Sequence, residues 1–133
     1  MKYMLIMNTP RDGYTQYMSW PKEILQANSA FMRDFARTLH ASGELVGAEG
    51  LDSPQQAKLV RADKDGKPIT DGVFPESKEF LAGFWIVDVE SPARAYEIAG
   101  EVLDAPHAAT IADGKPFEMV IEVREILASH QDL

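Results

Sequence analysis

Residues 70–89 read TDGVFPESKEFLAGFWIVDV. The first half is acidic and turn-like, with Asp71, Gly72, Pro75, Glu76, Lys78 and Glu79. The second half, Phe80 to Val89, is nearly unbroken apolar sequence of strand length. On a strand, successive side chains point to opposite faces. Phe80, Ala82, Phe84 and Ile86 then point one way, and Leu81, Trp85, Val87 and Val89 the other. Both faces are apolar, so both need cover. Gly83 lies among them, where a kink or a close backbone approach is expected.

Working outward, residues 57–62 (AKLVRA) and 67–70 (KPIT) flank the tip DKDG and predict a hairpin, because Asp65–Gly66 is a strong short turn signal. Residues 44–51 read as a short strand, followed by a turn at Asp52–Ser53–Pro54. Ser91–Pro92 predicts a helix start, with Ala95, Ile98, Ala99 and Val102 as its buried stripe and a stop before Pro106. Residues 117–126 predict a closing strand, with Phe117, Met119, Ile121 and Val123 on one face and Glu118, Glu122 and Arg124 on the other. At the front, residues 2–8 are a strand that is apolar on both faces. Ser19 and Pro21 then predict a helix over residues 20–41, with Ile24, Ala27, Phe31, Phe35 and Leu39 in its stripe and Gly43 at its end.

The resulting order is strand, helix, strand, hairpin, strand, helix, strand. It predicts an α+β, ferredoxin-like (split βαβ) antiparallel sheet with two helices on one face. Two helices cover one face only. The apolar residues left over, Trp85 among them, are expected to be covered by a second copy in a homodimer, or by the hairpin and loops. One domain is expected over residues 1–127, with a tail at 128–133.

The chain has 133 residues and a net charge of −8, with 13 basic and 21 acidic side chains. That balance argues against nucleic acid as a partner and against anionic membranes. No cysteine is present, so thiolate nucleophiles, disulfides and zinc–thiolate sites are excluded. Neither a signal peptide nor a membrane span is evident, and a cytoplasmic location is expected. Nucleotide-binding and serine-hydrolase motifs are lacking, and the three histidines have no metal-ligand spacing. No cofactor and no metal are expected.

Asp71 and Glu76 border the apolar strand. One reading makes either a general base, its pKa raised by burial and by neighbouring charge. The other makes them parts of a turn, with Gly72 at positive φ. His107, in the loop after Pro106, is a weaker catalytic candidate. Arg11 and Tyr14 follow the first strand and could present polar groups over the sheet end. With Phe74, Lys78 and Trp85 they form the expected ligand contacts. Arg124 is expected to pair with Glu118 or Glu122 across the sheet.

The segment from Asp71 resembles the signature of the DGPF group of YCII-related proteins, in which Asp-Gly-Pro-Phe is followed by an acidic residue, a Lys-Glu pair, a glycine and an aromatic strand. Here these are Asp71–Gly72–Val73–Phe74, then Glu76, Lys78, Glu79, Gly83 and Phe84. MKYMLIM, LVGAEGL and IEVREI are also similar to this family. Val73 stands where the signature has Pro, and Glu125 where Pro is usual. The resemblance implies a ferredoxin-like fold in a dimeric α/β-barrel assembly, and relatives acting on small, often aromatic-derived compounds. It also implies, for part of the group, an association with extracytoplasmic-function sigma factors. The broader family carries a His in the first helix and an Asp after the second. Those places fall near Met32 and Ala105 here, so the pair is missing. Two functions follow: binding of a small apolar or aromatic acid, with or without its cofactor-free conversion; or a non-catalytic regulatory module.

Overall fold

The computed structural model of the protein describes residues 1–72, 79–108 and 118–128. Its strands are β1 (Lys2–Thr9), β2 (Leu45–Gly50), β3 (Lys58–Ala62), β4 (Pro68–Gly72), β5 (Phe80–Asp88) and β6 (Ile121–Glu125), and its helices are α1 (Gly13–Met18), α2 (Lys22–Ala41) and α3 (Pro92–Val102). Four strands form an antiparallel sheet in the order β2-β5-β1-β6, while among the described residues β3 and β4 pair only with each other. The class is α+β, and the arrangement agrees with a ferredoxin-like sheet.

The paired residues Leu5–Trp85 and Tyr3–Val87 share one face of β1 and β5. That face carries the core, in which they pack with Phe35 and Leu39 of α2 and with Ala95, Ile98, Ala99 and Val102 of α3. Leu5, Leu39, Val87, Ile98 and Val102 are fully buried, each stabilising the fold by about 1.5–3 kcal/mol. Trp85, only 8% exposed, meets Phe35 edge-on at 6.0 Å between ring centroids. It is therefore a core residue on the helix-covered face, contrary to the expectation that it lies uncovered. The other face is left with Met4, Ile6, Phe84 and Ile86, all half-buried.

The alternation in β5 does not run through. Met7 pairs with Gly83 but Asn8 pairs with Leu81, so Ala82 is an extra residue. This bulge turns Leu81 to the side of Phe84 and Phe80 to the side of Trp85, reversing both from simple alternation. At Gly83 a Cβ would sit 3.0 Å from the Glu49 carbonyl oxygen, so the expected close backbone approach is real.

The α3 start matches its signal: the Ser91 hydroxyl accepts from the Arg94 N–H at 3.3 Å, and Pro92 opens the helix. The α2 start does not. Residues 13–18 form a helix of their own, and Ser19 ends it, its hydroxyl donating to the Gln16 carbonyl at 2.6 Å. Pro21 takes the cap of α2 instead. The stripe of α2 buries Phe35 and Leu39 and half-buries Ile24 and Phe31 as expected, but Asn28 is buried where Ala27 was expected and Ala27 is exposed. Gly43 and Gly66 take positive φ at the two expected turns. Gly72 lies in extended β4 rather than at positive φ. Phe74, Glu76, Lys78 and Phe117 lie outside the described residues.

Candidate functional site

The run-out of β2 builds one wall of a cleft. The Leu51 N–H donates to the Ala82 carbonyl at 2.8 Å, tying the connection to the bulge of β5. The chain then makes one 3-10 turn over Pro54–Gln56, capped by the Ser53 hydroxyl, which accepts from the Gln55 N–H at 3.2 Å. The Asp52 carboxylate accepts from the Ser53 N–H at 2.7 Å. Between this turn and the start of β5 lies an open cleft of about 400 Å³. Leu51, Pro54, Ala57, Phe80 and Leu81 give it an apolar lining, with Asp52, Ser53 and Gln56 as the polar part.

Arg11, in the turn after β1, brings a cation to Phe80, one of the residues lining the cleft. Its guanidinium carbon lies 5.5 Å from the centroid of the Phe80 ring, a cation–π arrangement. Tyr14, one turn along in α1, is exposed. Arg11 thus meets the ring of Phe80, one lining residue of an apolar cleft whose other wall, Leu51 to Ala57, sequence reasoning missed. The available signal was Ser53–Pro54, a helix-start pair read only as a turn.

Asp71 is placed in β4, opposite Leu59. Its carboxylate accepts from Arg61 Nε at 3.2 Å, and both side chains are more than half exposed. His107 is exposed, its Nδ1 lying 2.8 Å from the Ala108 carbonyl oxygen. Nearby, the buried Asn28 amide of α2 donates to the Pro106 carbonyl at 2.8 Å. Met32 packs on the core and Ala105 is buried. A neutral hydrogen bond therefore joins the first long helix to the loop after α3. Arg124 pairs with Glu122 at 3.5 Å along the same strand, not across the sheet.

Two further polar contacts are structural. Arg94 of α3 makes hydrogen bonds of 2.8 and 2.9 Å to the two carboxylate oxygens of Glu44, and one of 3.2 Å to Glu97. The Arg94 hydrogen bonds hold the Glu44 carboxyl below the usual range, against the desolvation that raises it, and the Ser42 hydroxyl helps. Tyr3 donates its phenol proton to Glu125 at 3.3 Å; burial first, then the Glu125 charge, pushes the phenol above its ordinary value. Among the described residues no group of three His, Asp or Glu side chains is placed to hold a metal ion. No helix there is long and apolar enough to cross a membrane.

A family model, the YCII-related domain, matches residues 1–128. The chain belongs to the YCII-related family. The match takes in the four-stranded sheet, the hairpin and the described helices of this YCII-related protein. No curated protein is significantly similar to it.

Proposed function

We propose that this YCII-related protein, as a cytoplasmic member of the DGPF group, binds a small apolar or aromatic carboxylic acid in the cleft between the Pro54 turn and Phe80. The observation that carries the reading is the double role of Phe80, which lines an apolar cleft and seats the Arg11 guanidinium. An apolar body would lie against Leu51, Pro54 and Phe80, and its carboxylate would meet Arg11 in a charge-assisted hydrogen bond. Tyr14 and, in the signature segment, Phe74 and Lys78 are the further contacts of this reading. If the ligand is turned over without a cofactor, Asp71 or Glu76 is the base. The exposed ion pair of Asp71 with Arg61 occupies the carboxylate and argues less for Asp71 as that base. A homodimer that covers Met4, Ile6, Phe84 and Ile86 belongs to the same reading.

The second reading, a non-catalytic module partnering an extracytoplasmic-function sigma factor, is favoured by the apolar Met32 and Ala105 where the broader family carries its His and Asp.

Thermal melting against a panel of aromatic and aliphatic carboxylic acids tests the first reading. A ligand of the folded state stabilises it by about 2.7 kcal/mol at a hundredfold excess over Kd. The expected result is a shift that Phe80→Ala and Arg11→Ala abolish, and whose dependence on Asp71→Asn and Glu76→Gln reports on the signature segment. No shift with any acid sinks it and turns the search to protein partners. For the dimer, sedimentation of wild type and Phe84→Glu is decisive: a wild-type monomer at micromolar concentration overturns it.

A further inference from the structure

We propose that β6 is a second, separate self-association edge, at which two copies of the chain pair their β6 strands antiparallel about a two-fold axis through Val123. Among the described residues β6 has a neighbour on one side only, β1. The phase of its hydrogen bonds is fixed by the Ile126 N–H, which donates to the Lys2 carbonyl at 2.8 Å. Bonded and non-bonded pairs alternate along an antiparallel ladder, so Arg124 and Glu122 turn their backbone groups to Met4 and Ile6 of β1. Ile121, Val123 and Glu125 turn theirs outward, to the open edge.

A two-fold axis through Val123 matches those outward groups to themselves. Val123 faces Val123 of the second copy and Ile121 faces Glu125, and each of these pairs can exchange both of its backbone hydrogen bonds. Glu122 then stands directly opposite Arg124 of the second copy, and Arg124 opposite its Glu122. These are the non-bonded pairs, in which side chains approach most closely. The strand is thus complementary to itself in charge as well as in hydrogen bonding. In the single chain the two side chains meet only along the strand, at 3.5 Å, and both are about half exposed or more.

Packing beside the edge points the same way. An open groove of about 360 Å³ runs between α3 and β6, lined by Tyr96, Gly100, Leu103, Met119 and Val120. Val120 is 79% exposed, and Tyr96 and Leu103 are exposed as well. A second copy at the edge would bring its own α3 and Val120 to this apolar strip. The other edge of the sheet lacks these features. The β2 ladder is bulged between Leu45 and Gly47, which blunts an edge, and its only charged residue, Glu49, has no cation on its own strand to meet.

The test is sedimentation equilibrium of the full chain, over a concentration series, in wild type, Glu122→Arg, Arg124→Glu and the double exchange Glu122→Arg/Arg124→Glu. Each single change sets like charges opposite one another twice, and is expected to weaken one association step roughly tenfold. The double exchange restores the pairing and the wild-type constant. Val123→Pro removes an outward N–H that β1 does not use, and is expected to abolish the same step. Equal association in all variants overturns the proposal, as does a loss that the double exchange leaves unrestored, or a monomeric wild type throughout. Phe84→Glu separates the two interfaces: in that background the response to Arg124→Glu is expected to persist, whether or not the sheet-face dimer exists.

Discussion

Arg94 and Glu44 stand fifty residues apart in sequence and meet through two parallel hydrogen bonds of 2.8 and 2.9 Å. The pair locks the first turn of α3 to the chain just before β2, a fork-to-fork contact that a lysine would not reproduce. With the Glu44 side chain mostly shielded from solvent, Glu44→Gln is expected to destabilise the protein by about 1–2 kcal/mol, measured by urea unfolding at neutral pH. The carboxyl titrates lower in the folded than in the unfolded chain, so its contribution is present above the ordinary carboxylate range. It is lost as pH falls through the lowered folded value. The gap between wild type and variant should therefore close in acid.

Tyr3 carries the opposite sign. Its phenol holds its proton more tightly in the folded state, because burial and Glu125 both disfavour the phenolate. The resulting stability is complete below the ordinary phenol range and declines as pH rises through the raised folded value. Ultraviolet titration should show one tyrosine ionising late in the wild type, and Tyr3→Phe should remove it.

Gly83→Ala places a methyl group 3.0 Å from the Glu49 carbonyl oxygen and 3.4 Å from the Gly50 Cα, both of them backbone. Strand β2 must move away from β5 to admit it. The expected cost is about 1–3 kcal/mol in thermal or urea unfolding, with faster amide exchange in β2 than in β1. A neutral substitution would mean that β2 gives way without resistance.

Asn28→Ala removes the donor to the Pro106 carbonyl. Pro106 is exposed and its carbonyl can turn to water, so the loss should cost about 0.5–1.5 kcal/mol. Amide exchange across residues 104–108 should quicken while the core of α3 stays protected.

Much of the fold follows from patterns that local chemistry imposes. The stripe Ala95, Ile98, Ala99, Val102 is buried as its spacing demands, and Asp65–Gly66 makes its hairpin. Other features depend on choices that only the assembled chain makes. Ser19 satisfies the rules for a helix start, yet α1 takes it as a stop, because two helices compete for one short polar residue. Strict alternation misplaces Phe80 and Leu81, since one extra residue at Ala82 reverses every position beyond it. Trp85 and Phe84 are equally apolar, and the helices settle which of them is inside. Of the candidate site, Arg11 was legible from its place after a strand. The Leu51–Ala57 wall was not, because it becomes a wall only when Leu51 bonds to the bulge.

Among the described residues the hairpin of β3 and β4 shares no ladder with the four-stranded sheet. Its tip at residues 63–67 is therefore expected to accept an insertion, a cut or an epitope tag without any hydrogen bond of the main ladder having to change. A protease nick there would leave the core intact and the two fragments held together. A recognition function installed at that tip would sit like an attachment on an unchanged frame.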